Sequence, residues 1–318
     1  MVDEHVPVLA GRVASLLDPS ISKNDAVLID ATLGLAGHTI SLLRSHPGLH
    51  VIGIDRDPAA HLIAAERIAA AGLSDRFTPA QAVFDEIPAV LAEVGISGVD
   101  GILFDLGVSS MQLDRTDRGF AYAVDAPLDM RMNPTVGLTA ADVLNTYAPG
   151  DLVRLLREYG EEKFATRIVS EVVKRRAQTP WETSGPLVEL IRDAIPAAAR
   201  RTGGHPAKRT FQALRVEVND ELGAVRRAIP AGLDALNLGG RMVVMSYQSL
   251  EDRIVKKAIG ERTVSTGPLD LPVDLPEHAP SFKWITRGSE APSDLEVQAN
   301  SRAASAKLRA AERIRGRV

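Results

Sequence analysis

Three short apolar runs in the first third of the chain each lead into polar residues that can do chemistry. The first run leads into residues 30–38, which include Gly34 and Gly37, and the other two end at Asp55 and Asp105. Glycines let backbone N–H groups approach a ligand closely, and an acidic side chain at a strand end can accept both hydroxyls of a ribose. A dinucleotide fingerprint needs three glycines, and only two are present. The residues favour a nucleoside without a pyrophosphate, the alternative being an ordinary strand-to-helix loop.

The same runs predict the elements that position these groups. Asp57 followed by Pro58 is typical of a helix start. Strands that alternate with helices indicate an α/β fold with a doubly wound, mostly parallel sheet. The runs typical of buried strands are residues 27–30, 51–55, 102–106 and 242–245.

A long separation between two of these strands predicts an insertion. Residues 102 and 242 lie 140 positions apart, whereas a crossover with its helix needs ~30 residues. Apolar residues recur with helical spacing between them, for example within 164–173. The predicted domains are a sheet domain made of residues 1–112 and 210–318 and an inserted helical substrate-recognition domain over 113–209.

Two groups of hydroxyl residues allow both a structural and a functional interpretation. Ser109 and Ser110 follow the Asp105 strand, where they either line the ligand crevice or cap a helix. Ser249 followed by Asp252 predicts a capping box. Asp105 itself follows a run of apolar residues, so a role as a solvated surface charge explains it poorly.

The charge of the chain is unevenly distributed. The sequence has 37 Lys and Arg against 41 Asp and Glu, a net charge of −4. Residues 1–153 hold 9 basic and 20 acidic side chains, whereas residues 154–318 hold 28 and 21. Basic residues cluster in 200–209 and 301–318, either as solvated faces or as a footprint for the phosphates of a nucleic acid.

Composition excludes several classes of protein. The absence of cysteine rules out disulfides, Cys-ligated zinc and thiol nucleophiles, and we expect no bound metal. No apolar run approaches the roughly 20 residues of a membrane span. The acidic start differs from a secretory signal, so we expect a cytoplasmic protein without a membrane partner.

Motifs spread along the chain resemble the S-adenosylmethionine-dependent ribosomal RNA small-subunit methyltransferase H family, also called MraW. The resemblance implies an α/β fold, a class I (Rossmann-like) methyltransferase sheet with a helical insertion. The motifs are residues 5–9, 34–38, 54–58, 104–110, 114–120, 127–132, 159–162, 205–214, 249–256 and 306–309. Two departures are Ala36, where the family's G-x-G-G-H has glycine, and Gln248, where it has histidine.

The resemblance implies S-adenosyl-L-methionine as cofactor and small-subunit ribosomal RNA, or the small ribosomal subunit, as partner. Residues that the family places at the cofactor correspond to Ala36, Gly37, His38, Asp55, Phe84, Asp105 and Gln112. Basic residues expected to hold the RNA are Arg200, Arg201, His205, Lys208, Arg209, Lys307 and Arg309.

The expected reaction is methylation of N4 of a cytosine in the decoding region. The target should be single-stranded or flipped, because duplex stacking would hide the amine. Asp105 is the first candidate to accept the amine proton, with Ser109 and Ser110 next. Alternatives are an NAD-dependent dehydrogenase, a non-enzymatic RNA-binding assembly factor, and a DNA or small-molecule methyltransferase. The sequence leaves open whether naked RNA or a subunit is the substrate and whether the protein is a homodimer.

Overall fold

The chain divides into two units. The computed structural model describes residues 7–109, 111–112, 115–200, 204–267 and 278–316. One unit combines Met1–Gly107 with Leu222–Val318, and the other is Val108–Glu221. The second unit begins five residues before the predicted insertion and ends twelve residues after it. The second unit ends next to Asp220, which has a left-handed backbone conformation (φ of 48°) and lies between two consecutive helices.

A seven-stranded sheet forms the first unit. Its strands are β1 (Ala26–Asp30), β2 (Leu49–Asp55), β3 (Phe77–Gln81), β4 (Val99–Asp105), β5 (Leu236–Ser246), β6 (Phe282–Trp284) and β7 (Lys307–Arg313). Their order is β3-β2-β1-β4-β5-β7-β6, with the first five strands parallel and β7 antiparallel to both of its neighbours. The predicted α/β class with a doubly wound, mostly parallel sheet is confirmed.

Helices cover both faces of this sheet. The described helices, in chain order, are α1 (Ala10–Ile21), α2 (Gly37–Ser45), α3 (Pro58–Ala70), α4 (Ile87–Val94), α5 (Ala140–Thr146), α6 (Pro149–Glu158), α7 (Ala165–Arg176), α8 (Ser184–Ala194), α9 (Ala197–Arg200), α10 (Lys208–Asn219), α11 (Glu221–Ala235), α12 (Ser249–Arg262) and α13 (Asp294–Ala299). Of these, α5 to α10 belong to the second unit. Successive strand residues point to opposite faces, so Leu28 packs in one apolar cluster with Leu17 of α1, and Ile29 packs in another with Ile229 of α11. This two-sided burial explains why the strands are almost wholly apolar.

The strand order reverses between β1 and β4, which are neighbours in the sheet. In open α/β sheets, ligands bind beyond the carboxyl ends of the strands at such a reversal. Asp30 and Asp105 are the last residues of these two strands. The carboxyl ends of β1 and β4 are therefore where this fold is expected to bind a ligand.

The second unit is helical and has a core of its own. Ile168 and Val172 of α7 are buried in it, as their helical spacing predicted, and Leu187 of α8 is buried beside them in the same core. Gly160 follows the end of α6 at a close approach to α10. A β-carbon at this position would lie only 2.5 Å from the Arg209 carbonyl oxygen. A larger residue at this position would separate the two helices.

Two local predictions need correction. The capping box of α12 begins one residue earlier than predicted, since Glu251, not Asp252, accepts from the backbone N–H of Gln248. Three of the six cations of the C-terminal basic cluster, Lys307, Arg309 and Arg313, lie in strand β7, and Arg309 and Arg313 are buried there. Among the described helices, none has the length and apolar character needed to cross a membrane.

Candidate active site

Three adjacent parallel strands end in a carboxylate at the same edge of the sheet. Asp55 ends β2, Asp30 ends β1 and Asp105 ends β4. Asp30 is 2% exposed; its Oδ2 accepts from the Thr39 hydroxyl at 2.7 Å and its Oδ1 from the Thr32 backbone N–H at 3.3 Å. Burial raises the pKa of Asp30 to about 6. Asp30 therefore ties the loop after β1 to helix α2, a positioning role that we did not predict.

The glycine-containing loop between β1 and α2 makes two left-handed turns. Gly34 has φ of 49° and Ala36 has φ of 58°. A residue with a β-carbon adopts that region at a cost of about 1–2 kcal/mol, which is the reason a glycine is favoured there. The Ala36 methyl is fully buried in the apolar cluster that includes Leu33 and Leu42. Burial of the methyl offsets part of the strain at this departure from the family pattern.

Asp55 is held in place by the loop it faces. Its Oδ2 accepts from the Gly34 N–H at 2.9 Å, and its Oδ1 accepts from the Asp57 N–H at 2.9 Å. Burial raises the pKa of Asp55. Each carboxylate oxygen has a second lone pair, so Asp55 can still accept from two hydroxyl groups. Asp57 caps α3 by accepting from the Ala59 N–H at 3.0 Å, as predicted.

Asp105 has two partners at this edge. Its Oδ1 accepts from the Tyr247 hydroxyl at 2.7 Å, and its Oδ2 lies 3.8 Å from His38 Nε2. Burial, with Asp30 adding a like charge, raises the pKa of Asp105 to about 7. Burial also lowers the pKa of His38 to about 4, so the imidazole is neutral at pH 7. A carboxyl group with this pKa can both accept and release a proton near neutral pH.

His38 and the segment after β5 complete the polar surroundings. No described residue supplies a hydrogen-bond partner for His38 Nε2 or Gln248 Oε1, although both atoms are buried. Glu251, which is 1% exposed, accepts from the backbone N–H groups of Tyr247 and Gln248, each at 3.0 Å. Sequence reasoning missed Tyr247, because it lies 142 residues from Asp105 and no motif links the two.

Phe84 lies just after β3, in a turn of residues 84–86. Its ring packs edge-on against Phe104 of β4, with centroids 6.0 Å apart and planes at 87°. Phe104 is fully buried, whereas Phe84 remains partly exposed. An aromatic ring anchored in this way can pack against a flat ligand such as a purine.

Three of the predicted residues belong to the second unit or lie outside the described residues. The Ser109 hydroxyl accepts from the Gln112 N–H at 3.3 Å, and Gln112 Oε1 accepts from the Ser109 N–H at 3.1 Å. This reciprocal pair is the capping interpretation of Ser109. Gln112 is 4% exposed. Ser110 is outside the described residues.

The residues predicted to hold RNA have different surroundings. Arg200, His205, Lys208 and Arg209 are exposed on the second unit, while Arg201 is outside the described residues. Lys307 and Arg309 belong to β7 of the first unit. Arg309 is 8% exposed, and its guanidinium donates to both carboxylate oxygens of Asp252, at 2.7 and 3.1 Å. Arg309 thus joins β7 to α12 through Asp252. The expectation that it holds RNA is corrected, because its charge is buried and paired within the first unit.

The edge of the first unit fits a positively charged nucleoside. Asp55 offers acceptors for hydroxyls, Phe84 offers a ring, and the buried His38 Nε2 lacks a partner within the described chain. Burial disfavours the ionised form of these carboxyl groups, and a nearby cation stabilises that form. Across the described residues, no group of three or more His, Asp or Glu side chains is placed to hold a metal ion.

Comparisons with known proteins cover nearly the whole chain. Residues 3–314 match the family described as the MraW methylase family. The ribosomal RNA small subunit methyltransferase H of Saccharopolyspora erythraea is 61% identical over 316 residues, which cover 99% of this chain and 95% of that protein. The protein of the same name from Nocardia farcinica is 58% identical, covering 98% and 96%. An rRNA methylase structure from Streptococcus thermophilus superposes with a TM-score of 0.43 at 11% identity, covering 96% and 95%, too loosely to add to these matches.

Proposed function

Because the chain belongs to the MraW methylase family, we propose that it methylates N4 of a cytosine in the decoding region of small-subunit (16S) ribosomal RNA. The observation that carries this proposal is the 61% identity, over 99% of the chain, to a protein named for small-subunit ribosomal RNA methylation. That likeness includes the helical unit as well as the sheet, so it concerns more than cofactor binding.

The protein is a methyltransferase that uses S-adenosylmethionine. When bound, this cofactor supplies a methyl group activated by a positively charged sulfur. We propose that Asp55 accepts from the ribose hydroxyls, that the backbone of Ala36 to His38 faces the methionine part, and that Phe84 packs against the adenine. Asp105 and Gln112 are the further proposed contacts.

Asp105 is also the group we favour for the proton of the cytosine amine. That amine is a weak nucleophile because its lone pair is delocalised into the ring, so a hydrogen-bond acceptor on its N–H assists reaction. The Tyr247 hydroxyl already donates to Asp105 Oδ1 at 2.7 Å, so we favour Oδ2, which has both lone pairs available, as the accepting atom. Ser109 already accepts from a backbone N–H, which makes it the weaker alternative.

The helical unit would bind the RNA, in the cytoplasm where small subunits are assembled. Its exposed cations Arg200, Lys208 and Arg209 would contact phosphates. These contacts position the RNA without reading its sequence, so recognition of the target cytosine requires further contacts to bases.

The test is mass mapping of small-subunit RNA from cells with and without this protein. We expect one N4-methyl group on a decoding-region cytosine to disappear in the absence of the protein and to return when the wild-type gene is restored. Loss of no N4-methyl group would contradict the proposal. Transfer of tritium from labelled S-adenosylmethionine to small subunits, and none to naked RNA, would identify the subunit as substrate. Binding of RNA without any transfer would instead support an assembly factor.

A further inference from the structure

Three aromatic rings of the helical unit, those of Phe211, Tyr122 and His205, contact one another in sequence from its core to its surface. Phe211 is 3% exposed and belongs to the apolar core. Tyr122 is half-buried and meets Phe211 edge-on, with centroids 5.7 Å apart and planes at 84°. His205 is exposed and stacks on Tyr122, with centroids 4.4 Å apart and planes at 17°. An exposed ring is therefore anchored to the core through a second ring.

The His205 ring is fixed by a second, independent contact. Its Nδ1 accepts from the Ala207 backbone N–H at 3.2 Å. In this tautomer the ring proton is on Nε2, so the neutral imidazole presents a flat surface with a donor at its edge. A side chain held by both a stack and a hydrogen bond loses little freedom when a ligand packs on it.

Two exposed cations follow the ring directly. Lys208 and Arg209 are the first residues of α10, and the Lys208 N–H donates to the His205 carbonyl at 3.0 Å. Arg209 Nη1 donates to the Glu161 carbonyl at 3.3 Å, a contact with a neutral group that leaves its positive charge available. One turn of chain thus combines a flat ring with charges that attract phosphate.

We propose that His205 is a stacking platform for one unpaired nucleobase of the RNA, with Lys208 contacting a neighbouring phosphate. The proposal rests on the proposed function, because it assumes an RNA substrate. Unpaired bases are commonly bound by stacking on aromatic side chains beside cations that follow the backbone. Among the described rings, Tyr122 is the only one stacked on His205. With only 13 aromatic residues in the chain, a platform for one base suits this protein better than a long stacking surface.

The test is the affinity of the full-length protein for a short single-stranded RNA of mixed sequence, measured at several salt concentrations. His205→Ala removes the ring. His205→Asn also removes it but keeps an acceptor for the Ala207 N–H, which protects the local fold. His205→Phe keeps a ring. Lys208→Ala is the matched control for charge. An unchanged thermal unfolding curve, together with unchanged S-adenosylmethionine affinity, verifies that both units of each variant are folded.

We expect His205→Ala and His205→Asn to weaken RNA binding by roughly 5- to 100-fold, with an unchanged salt slope. His205→Phe should bind within about twofold of wild type. Lys208→Ala should reduce the salt slope by about 0.7, as expected for one phosphate of a single strand. Wild-type affinity in His205→Asn, or a loss in His205→Phe as large as in His205→Ala, would overturn the platform.

The same protein preparation separates failure of the platform from failure of the proposed function. If wild type transfers methyl groups to small subunits but the ring is dispensable for RNA affinity, only the platform is wrong. If wild type neither binds RNA nor methylates subunits, the proposed function is wrong and the platform with it.

Discussion

Asp105 combines two properties that suit it to the proposed proton transfer. Its pKa is raised to about 7, and one of its oxygens is fixed by the Tyr247 hydroxyl. The side chain keeps 28% of its accessible area, so the carboxyl can be reached. An ionised carboxylate in this position is costly for the folded protein, and we argue that the site retains it for its chemistry.

Replacement of Asp105 by Asn should separate activity from stability. Methyl transfer should fall by about 100-fold or more, because an amide oxygen can accept a hydrogen bond from the amine but cannot take up its proton. Folded Asp105 has its pKa raised above the unfolded value of 3.8, so its burial costs little below pH 4 and most above pH 7. We expect Asp105→Asn to stabilise the cofactor-free protein at pH 8 by about 2 kcal/mol and to have little effect at pH 4. Thermal unfolding at both pH values measures this, and equal effects would contradict it.

Tyr247 should tune Asp105. Its hydrogen bond lowers the pKa of Asp105, while burial beside Asp105 raises the pKa of Tyr247 itself, which keeps the hydroxyl protonated as a donor. In Tyr247→Phe the pKa of Asp105 should rise, and the acidic limb of the pH-rate profile should move upward by about one unit. The rate at pH 9 should approach that of wild type. A loss of rate that is equal at every pH would indicate damage to packing instead.

Asp105 could be identified from the sequence and Tyr247 could not, for a physical reason. A carboxylate that ends an apolar strand is costly unless it is used, and this cost is visible in the local pattern. The Tyr247 hydroxyl reaches Asp105 only because β5 pairs with β4 in the sheet. Pairing of strands so far apart in sequence is a property of the fold, and no local pattern records it.

The C-terminal basic residues show that the strand they belong to decides whether their charges are buried or reach solvent. We predicted that this stretch grips RNA because it is rich in arginine. The structure places residues 307–313 between β5 and β6, where Arg309 and Arg313 are 8% and 6% exposed. Composition reveals the number of charges, but burial decides whether a charge pairs inside the fold or meets solvent.

Arg309→Ala should therefore act on stability. It leaves Asp252, 13% exposed, without its bidentate partner, and loss of one member of a buried pair costs on the order of 3 kcal/mol. Lys307, also predicted to bind RNA, is 44% exposed and 3.9 Å from Asp252, so Lys307→Ala should cost less than about 1 kcal/mol. Chemical denaturation compares the two variants. If Arg309→Ala is as stable as wild type but binds RNA more weakly, the original expectation was right.

The imbalance of charge between the two halves of the sequence does not coincide with the division into two structural units. Residues 108–221 contain 16 basic and 16 acidic side chains, so the helical unit as a whole is neutral and the other unit carries the net −4. Within the helical unit, residues 154–215 hold 13 basic and 7 acidic side chains. The excess of positive charge after residue 153 therefore does not make the helical unit basic as a whole, because that unit contains only a basic segment.

This distribution limits how strongly RNA binding can depend on salt. The exposed cations proposed to meet phosphates are Arg200, Lys208 and Arg209, and a single strand releases about 0.7 counterions per phosphate. We expect the logarithm of the affinity for single-stranded RNA to fall with the logarithm of salt concentration with a slope of about −2. Cofactor affinity should change far less, because its proposed site uses buried carboxylates and hydrogen bonds. Calorimetry and fluorescence titration over the same salt range provide both numbers. A slope steeper than about −6 would mean that many more cations bind RNA than these three.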